Sequence, residues 1–303
     1  MAHYLVLDIG GTYVKYAVMD DEARFLEQGK VAAQTGSEAE TLGSLARVRE
    51  ACAGHDYEGV AISMPGRIDT AAGIAHTGGA FQWVRDYPAA ERYGAVFGRP
   101  ATIANDGKCA ALAESWKGAL ADVDSGAVIV LGTGVGGGIV LNRKVWMGAT
   151  GGAGELSGFP TNFDGFRETI TFAHGLPNLW AGRVSAASIV GRYGARKGLD
   201  AVDGVRLFDD YEAGDELARE VIDEFAFQTA VGIYGIQAVL DLPRIAIGGG
   251  ISARPATTEV IREAVDALFA SQPLTAFGKP EIVRCAFGNE ANLIGALAFH
   301  LED

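Results

Sequence analysis

The chain opens on alternating and apolar runs bounded by turn residues. Tyr4 to Leu7 reads as a buried strand ending at Asp8, Ile9-Gly10-Gly11-Thr12 as a turn, and Tyr13 to Met19 as a returning strand. Asp20-Asp21-Glu22 marks a second hairpin turn before strand character over Arg24 to Lys30. Ser37 to Ala53 then carries apolar residues at helical spacing. Gly59 to Ser63 is a strand closed by Met64-Pro65-Gly66, and Pro100 to Ala104 is another. Asn105-Asp106 sits at its end, ahead of an Ala-rich helix over Gly107 to Trp116.

Near residue 117 the pattern starts again. Ala127 to Leu131 is an apolar strand, Gly132 to Gly138 a glycine loop, Ile139 to Leu141 a strand, and Asn142-Arg143-Lys144 a turn. Strand, glycine turn, strand and polar turn therefore occur twice, which predicts a duplicated α/β domain. Helices are expected over Asp215 to Val239, Thr257 to Ala270 and Asn289 to His300. A strand over Arg244 to Ile247 leads into Gly248-Gly249-Gly250.

Composition narrows the function classes. The 49% hydrophobic and 21% charged fractions belong to a packed globule, and 303 residues allow about two domains. A net charge of −13 opposes nucleic-acid binding, which needs a basic face. It does not oppose an anionic ligand held by backbone N–H groups, and the 42 glycines, about twice the usual share, point that way. Cys52, Cys109 and Cys285 are scattered and odd in number, so neither a disulfide framework nor a zinc site is expected, and a reducing cytoplasmic setting fits. The N-terminus lacks the basic region of a signal peptide, and no apolar run approaches the roughly 18 residues of a membrane span.

The candidate chemistry sits in the turns. Gly132-Thr133-Gly134-Val135-Gly136 is not a dinucleotide fingerprint, because strand residues rather than a helix follow it. With the Gly10-Gly11-Thr12 turn it makes a pair of hairpins, each with glycines and a Thr, that could clamp a polyphosphate. Asp8 either caps its turn or holds Mg²⁺ beside the phosphates. Lys15 is either a solvated lysine or a phosphate contact. Asp106 is either a helix N-cap or a general base for a hydroxyl. Glu155 is either an exposed loop acid or an acceptor for sugar hydroxyls, and Gly248 to Gly250 either underlies a flat ligand or only turns the chain. His55, His76 and His174 read as structural or surface residues. Trp83, Trp116, Trp146 and Trp180 read as core or pocket walls, and Asp209-Asp210 as a solvated face.

Together these residues resemble the ROK family (repressors, open reading frames and kinases) of sugar kinases. Asp8-Ile9-Gly10-Gly11-Thr12 and Leu131 to Gly138 resemble its two phosphate motifs. Met64-Pro65-Gly66-Arg67-Ile68-Asp69 resembles its Pro-Gly-x-(Val/Ile)-Asp segment, and Asn105-Asp106-Gly107-Lys108-Cys109-Ala110-Ala111 its catalytic segment. Gly148 to Glu155, Ala213-Gly214-Asp215 and Ile245 to Ser252 follow in the family's order. The resemblance implies two duplicated actin/hexokinase-like (ribonuclease H-like) domains around an interdomain cleft. A small domain over 1–116, completed by a helix over 289–303, would precede a large one over 117–288.

It further implies an ATP- and Mg²⁺-dependent kinase acting on a hexose hydroxyl at C6, and a homodimer. Asp106 would be the base, Asn105 and Glu155 would hold other hydroxyls, and Gly66 would shape the cleft. Asp8 would organise Mg²⁺. Gly10, Gly11, Thr12, Lys15, Gly132, Thr133 and Gly134 would serve the phosphates, and Gly249 and Gly250 the adenosine. Two departures bear on the substrate. Leu156-Ser157 stands where many members have Gly-His, with no Cys-x-Cys segment after it, so no zinc is expected. Ala181 stands where a second sugar-binding Glu often precedes the Ser matched by Ser185. With Trp180 beside it, a less polar pocket end for a β-glucoside or N-acetylhexosamine such as N-acetylmannosamine is expected. Family repressors carry a helix-turn-helix ahead of the first phosphate motif. Here that motif begins at Asp8, which favours an enzyme over a sugar-sensing regulator.

Overall fold

The computed structural model describes residues 2–162, 178–272 and 276–302. Its first half is a five-stranded sheet. Strands β1 (His3–Ile9), β2 (Tyr13–Asp20) and β3 (Phe25–Ala32) form an antiparallel meander, and β4 (Gly59–Met64) lies parallel to β1 on its other side. A two-stranded ribbon of β5 (Ile68–Asp69) and β6 (Ile74–Ala75) precedes β7 (Ala101–Asn105), which pairs in parallel with β4. The second half repeats this plan. Strands β8 (Gly126–Leu131), β9 (Val135–Leu141) and β10 (Lys144–Val145) form the meander, and β11 (Arg244–Gly248) and β12 (Glu281–Arg284) add in parallel beside β8. Spatial orders β3-β2-β1-β4-β7 and β10-β9-β8-β11-β12 make the duplication explicit. Burial follows position: all of β4 is buried, whereas the edge strand β3 alternates between half-buried and exposed.

Helices α1 (Glu38–Ala51) and α2 (Ala89–Phe97) make the crossovers of the first sheet, and α3 (Asp106–Lys117) leaves its last strand. In the second half, α4 (Ala181–Val184), α5 (Ala186–Lys197) and α6 (Gly204–Glu212) precede α7 (Glu216–Leu240). Then α8 (Pro255–Ala270) joins β11 to β12, and α9 (Ala291–Glu302) ends the described chain. Local chemistry sets the helix starts: Ser37, Asp203 and Asp215 each accept a backbone N–H as N-caps, and Pro255 opens α8.

The two halves exchange helices. Leaving the first sheet, α3 packs on β8 and β9 of the second; leaving the second, α9 packs on β1, β4 and β7 of the first. The two helices also pack on each other, and the core between the sheets is rich in alanine (Ala17, Ala61, Ala104, Ala111, Ala246, Ala296). Backbones approach so closely that a Cβ on Gly295 would lie 1.7 Å from the Cys109 carbonyl oxygen. One on Gly138 would lie 2.5 Å from the Ala111 Cβ.

This packing corrects the expected glycine loop. Only Gly132 to Gly134 form the turn; Gly136 to Gly138 lie inside β9, where the missing side chains of Gly137 and Gly138 admit α3. The short elements α2, α4 to α6 and β12 have no counterpart among the expected elements, because most of them are too short for a period to show. Trp146 is half exposed and not a wall of the core. His76 pairs with Asp86, and His55 with Glu27. Asp209 is exposed as expected of a solvated face and pairs with Arg254, whereas Asp210 is mostly covered and accepts from Arg206 and Tyr193. His174 lies outside the described residues.

Gly295→Ala is expected to destabilise the protein by about 2 kcal/mol or more, since backbone must move to admit the methyl group. Gly43→Ala in α1 has open space and is expected to be neutral or to stabilise by up to about 1 kcal/mol. Urea denaturation of the two variants checks the contrast.

Candidate active site

Strand β7 ends at Asn105 and α3 begins at Asp106, so both residues emerge at the mouth between the two sheets. The N-cap of α3 is Asn105, not Asp106. Its Oδ1 accepts the Lys108 N–H at 3.1 Å, while its Nδ2 donates to the Gly66 carbonyl at 2.9 Å. Gly66 has φ +112°, and a Cβ there would lie 2.1 Å from the Thr77 carbonyl oxygen, so only glycine suits the position. Relieved of capping, Asp106 carries a carboxylate whose Oδ1 accepts the Gly107 N–H at 2.8 Å. Burial pushes its pKa up to about 6, and the charges of Asp8 and Glu155 act in the same direction. The Gly107 N–H and the Lys108 ammonium pull it partway back.

Glu155 follows the glycine loop and is half exposed; its Oε1 accepts from Lys108 Nζ at 3.1 Å. The Lys108 side chain is 0% exposed. Next in the chain, Leu156 enters the core, and Ser157 Oγ donates to the Val135 carbonyl at 2.7 Å. That bond fastens the loop to β9 just past the second glycine turn.

Asp8 is buried at the end of β1. In register opposite it on β2 stands Lys15, whose Nζ donates to Oδ2 at 3.2 Å. Ser63 Oγ and Asn292 Nδ2 donate to Oδ1 at 3.2 and 3.1 Å. Among the described residues no group of three or more His, Cys, Asp or Glu is arranged to hold a metal. One carboxylate flanked by oxygen-bearing Ser63 and Asn292 suits a hard cation that keeps its water and takes its other ligands from phosphate.

Three cavities meet at Gly132. A cleft of about 380 Å³ brings Gly66, Asn105, Asp106 and Glu155 onto the same surface as Gly132, Thr133 and Gly134. A channel of about 190 Å³ is lined by Lys15, Gly132, Gly249, Gly250 and Asn292. An apolar cavity of about 650 Å³ runs from Gly132, Thr133 and Gly250 to Val190, Phe208 and Ile251. At Gly249, φ is +93° and a Cβ would lie 2.3 Å from the Leu131 carbonyl oxygen, so the chain turns there against β8. A proton-accepting carboxylate, an N–H-rich glycine turn and an apolar slot are thus connected.

Not every expected residue joins them. Gly10, Gly11 and Thr12 line none of the three cavities; Gly11 faces Ala80, and the Thr12 carbonyl accepts the Ala33 N–H at 2.9 Å. Trp180 is fully buried in the second core against Gly232, with its Nε1 donating to the Gln228 carbonyl at 3.1 Å. Ala181 is buried beside it, so the expected aromatic pocket end is core packing instead. Sequence reasoning passed over Ser63, Lys108 and Asn292. The readable signals were a lysine inside the small apolar run Gly107-Lys108-Cys109-Ala110-Ala111, and an amide at the start of an apolar final helix.

Comparison with known proteins gives the same picture. The ROK family model matches residues 4–303. The chain is 32% identical to a beta-glucoside kinase of Klebsiella pneumoniae over 292 residues, covering 96% of this chain and 93% of that one. It is 29% identical to a beta-glucoside kinase of Listeria monocytogenes over 298 residues, covering 98% and 96%. A ROK family protein of Streptococcus pneumoniae, solved in complex with sucrose, superposes with a TM-score of 0.85 at 25% identity, covering 99% and 98%. With residues 4–303 matched and a duplicated fold around this cleft, the chain belongs to the ROK family, on its sugar-kinase branch.

Proposed function

We propose that this ATP-dependent sugar kinase transfers the γ-phosphoryl group to the C6 hydroxyl of a β-glucoside, with Asp106 as general base. The observation that carries the reading is the single cleft in which Asp106, Asn105 and Glu155 face the Gly132-Thr133-Gly134 turn. The beta-glucoside kinases of Klebsiella pneumoniae and Listeria monocytogenes, similar over nearly the whole chain, support the glycoside. The packing of α9 on β1, β4 and β7 supports a first domain over 1–116 completed by 289–303, with 117–288 as the second.

In this reading Glu155 and Asn105 orient the sugar, and Asp106 takes the C6 hydroxyl proton as that oxygen bonds to the γ-phosphorus. The bond from the γ-phosphorus to the bridging oxygen breaks, and ADP leaves. A carboxylate with a pKa of about 6 is a stronger base than an ordinary one, yet largely ionised at neutral pH. Backbone N–H groups of Thr133 and Gly134, with Lys15, receive the phosphates, the Gly132 N–H being held by the Gly134 carbonyl, and the apolar cavity beside Gly250 receives the adenine. Mg²⁺ carried by ATP supplies charge neutralisation, and Asp8 with Ser63 and Asn292 would hold its hydration shell. The first turn, Gly10 to Thr12, reaches the phosphates when the cleft closes, which also keeps water from the phosphoryl group.

A coupled ADP-release assay with cellobiose, gentiobiose, free glucose and N-acetylmannosamine tests the substrate. The β-glucosides are expected to show at least tenfold higher kcat/KM than glucose; the reverse order would assign the site to a free hexose. Asp106→Asn is expected to lower kcat by roughly 10² to 10⁴. It should also raise Tm, because the wild-type carboxylate carries a proton more readily folded than unfolded. That linkage costs up to about 3 kcal/mol once pH exceeds about 6, and the cost fades as pH falls toward 4. Differential scanning fluorimetry at pH 8 and pH 4.5 reads the difference. The pH profile of kcat/KM for the glycoside is expected to fall on the acid side with a midpoint near 6, and a profile flat down to pH 5 would remove Asp106 as the base.

A further inference from the structure

We infer that Lys108 is a positioning residue of the sugar site, its buried ammonium holding the Glu155 carboxylate on the cleft wall where the glycoside hydroxyls arrive. The inference rests on the sugar-kinase reading above and assigns to that site a residue outside its expected set.

The pair is asymmetric. Lys108 is 0% exposed, one of the largest fully buried side chains, while Glu155 is 52% exposed and well solvated without any partner. Burying an amine is costly, and a half-exposed carboxylate repays little of that cost. The neighbours Cys109, Ala110 and Ala111 show that this stretch of α3 otherwise fills its space with small apolar groups. Stability alone therefore argues for an apolar residue at 108.

What the lysine supplies is order in the cleft. Its main-chain N–H holds Asn105 Oδ1 at 3.1 Å, and its Nζ holds Glu155 Oε1 at 3.1 Å. Asn105 in turn holds the Gly66 carbonyl at 2.9 Å. The lysine side chain thus ties the start of α3 to the loop that ends at Glu155, beside the Asn105 bond that ties the same helix start to the Gly66 turn, and these contacts join walls of one cleft. A half-exposed glutamate left free would sample several rotamers, and sugar binding would have to freeze it. Holding it beforehand lowers that cost.

The test is a double-mutant cycle of Lys108→Met, Glu155→Gln and the double variant, read as glycoside KM, ATP KM, kcat and Tm. Lys108→Met is expected to raise glycoside KM about tenfold, leave ATP KM within about twofold, and leave Tm equal to or above wild type. Glu155→Gln raises glycoside KM similarly but lowers Tm, because it leaves the buried ammonium unpaired. The double variant regains that Tm, with a glycoside KM no worse than the worse single. Additive KM effects, an unchanged glycoside KM in an active Lys108→Met enzyme, or a Lys108→Met protein that loses stability or fails to fold would each overturn the inference. If wild type phosphorylates another sugar and no glycoside, the substrate reading fails by itself, and the cycle decides the role of Lys108 on the sugar accepted.

Discussion

The close approach of α3 and α9 is the constraint on which the site depends. Each helix leaves the last strand of one sheet and packs on the other, and a Gly295 Cβ would meet the Cys109 carbonyl at 1.7 Å. Only backbone and small side chains fit between such helices. Because the halves share one topology, α3 and α9 occupy equivalent places and bring their first turns to the same mouth. Asp106 starts one helix, Asn292 lies in the first turn of the other, and Asn292 is bonded to Asp8 across the gap. Duplication with helix exchange makes the cleft, and the glycines make the exchange sterically possible.

Three carboxylates then sit near one another, and their partners decide what each can do. Lys15 lies opposite Asp8 in the strand register, and Lys108, buried in the first turn of α3, reaches Glu155. Asp106 is paired with neither: among the described residues a backbone N–H donates to it, and the Lys108 ammonium acts on it only at a distance. Its neighbours Asp8 and Glu155 raise its proton affinity instead, on top of burial. Where groups share one cleft, placing cations on two of three leaves the third as the group with base character.

Much of the fold was legible because its signals are local. The paired glycine turns and the strands on either side of them announced the repeat, and Asn105-Asp106 at a strand end announced the mouth of the cleft. The helices of residues 181–212 were less visible, since α4 spans a single turn, α6 is only nine residues long, and Gly182, Gly191 and Gly194 punctuate α4 and α5. Chemistry read from residue type misled where packing decided the matter. Gly137 and Gly138 look like phosphate-binding loop residues but are a seat for α3, and Trp180 looks like a pocket wall but packs on Gly232. Lys108 and Asn292 were passed over for the opposite reason: their meaning lies in partners 47 and 284 residues away, which no local pattern encodes.

The acidic character of the chain also follows from this construction. A protein of net charge −13 can still present a place for a polyphosphate if positive potential comes from the backbone. At Gly132 the second glycine turn meets the start of α5, whose Ala186 N–H donates to the Gly132 carbonyl, while α3 and α9 open toward the adjoining cavities. Helix N-termini and free N–H groups carry partial positive charge that titration does not remove. Lys15 adds one ammonium at the channel, already balanced by Asp8. Side-chain charge is thereby released from binding the anion, and the surface can remain acidic without weakening the site.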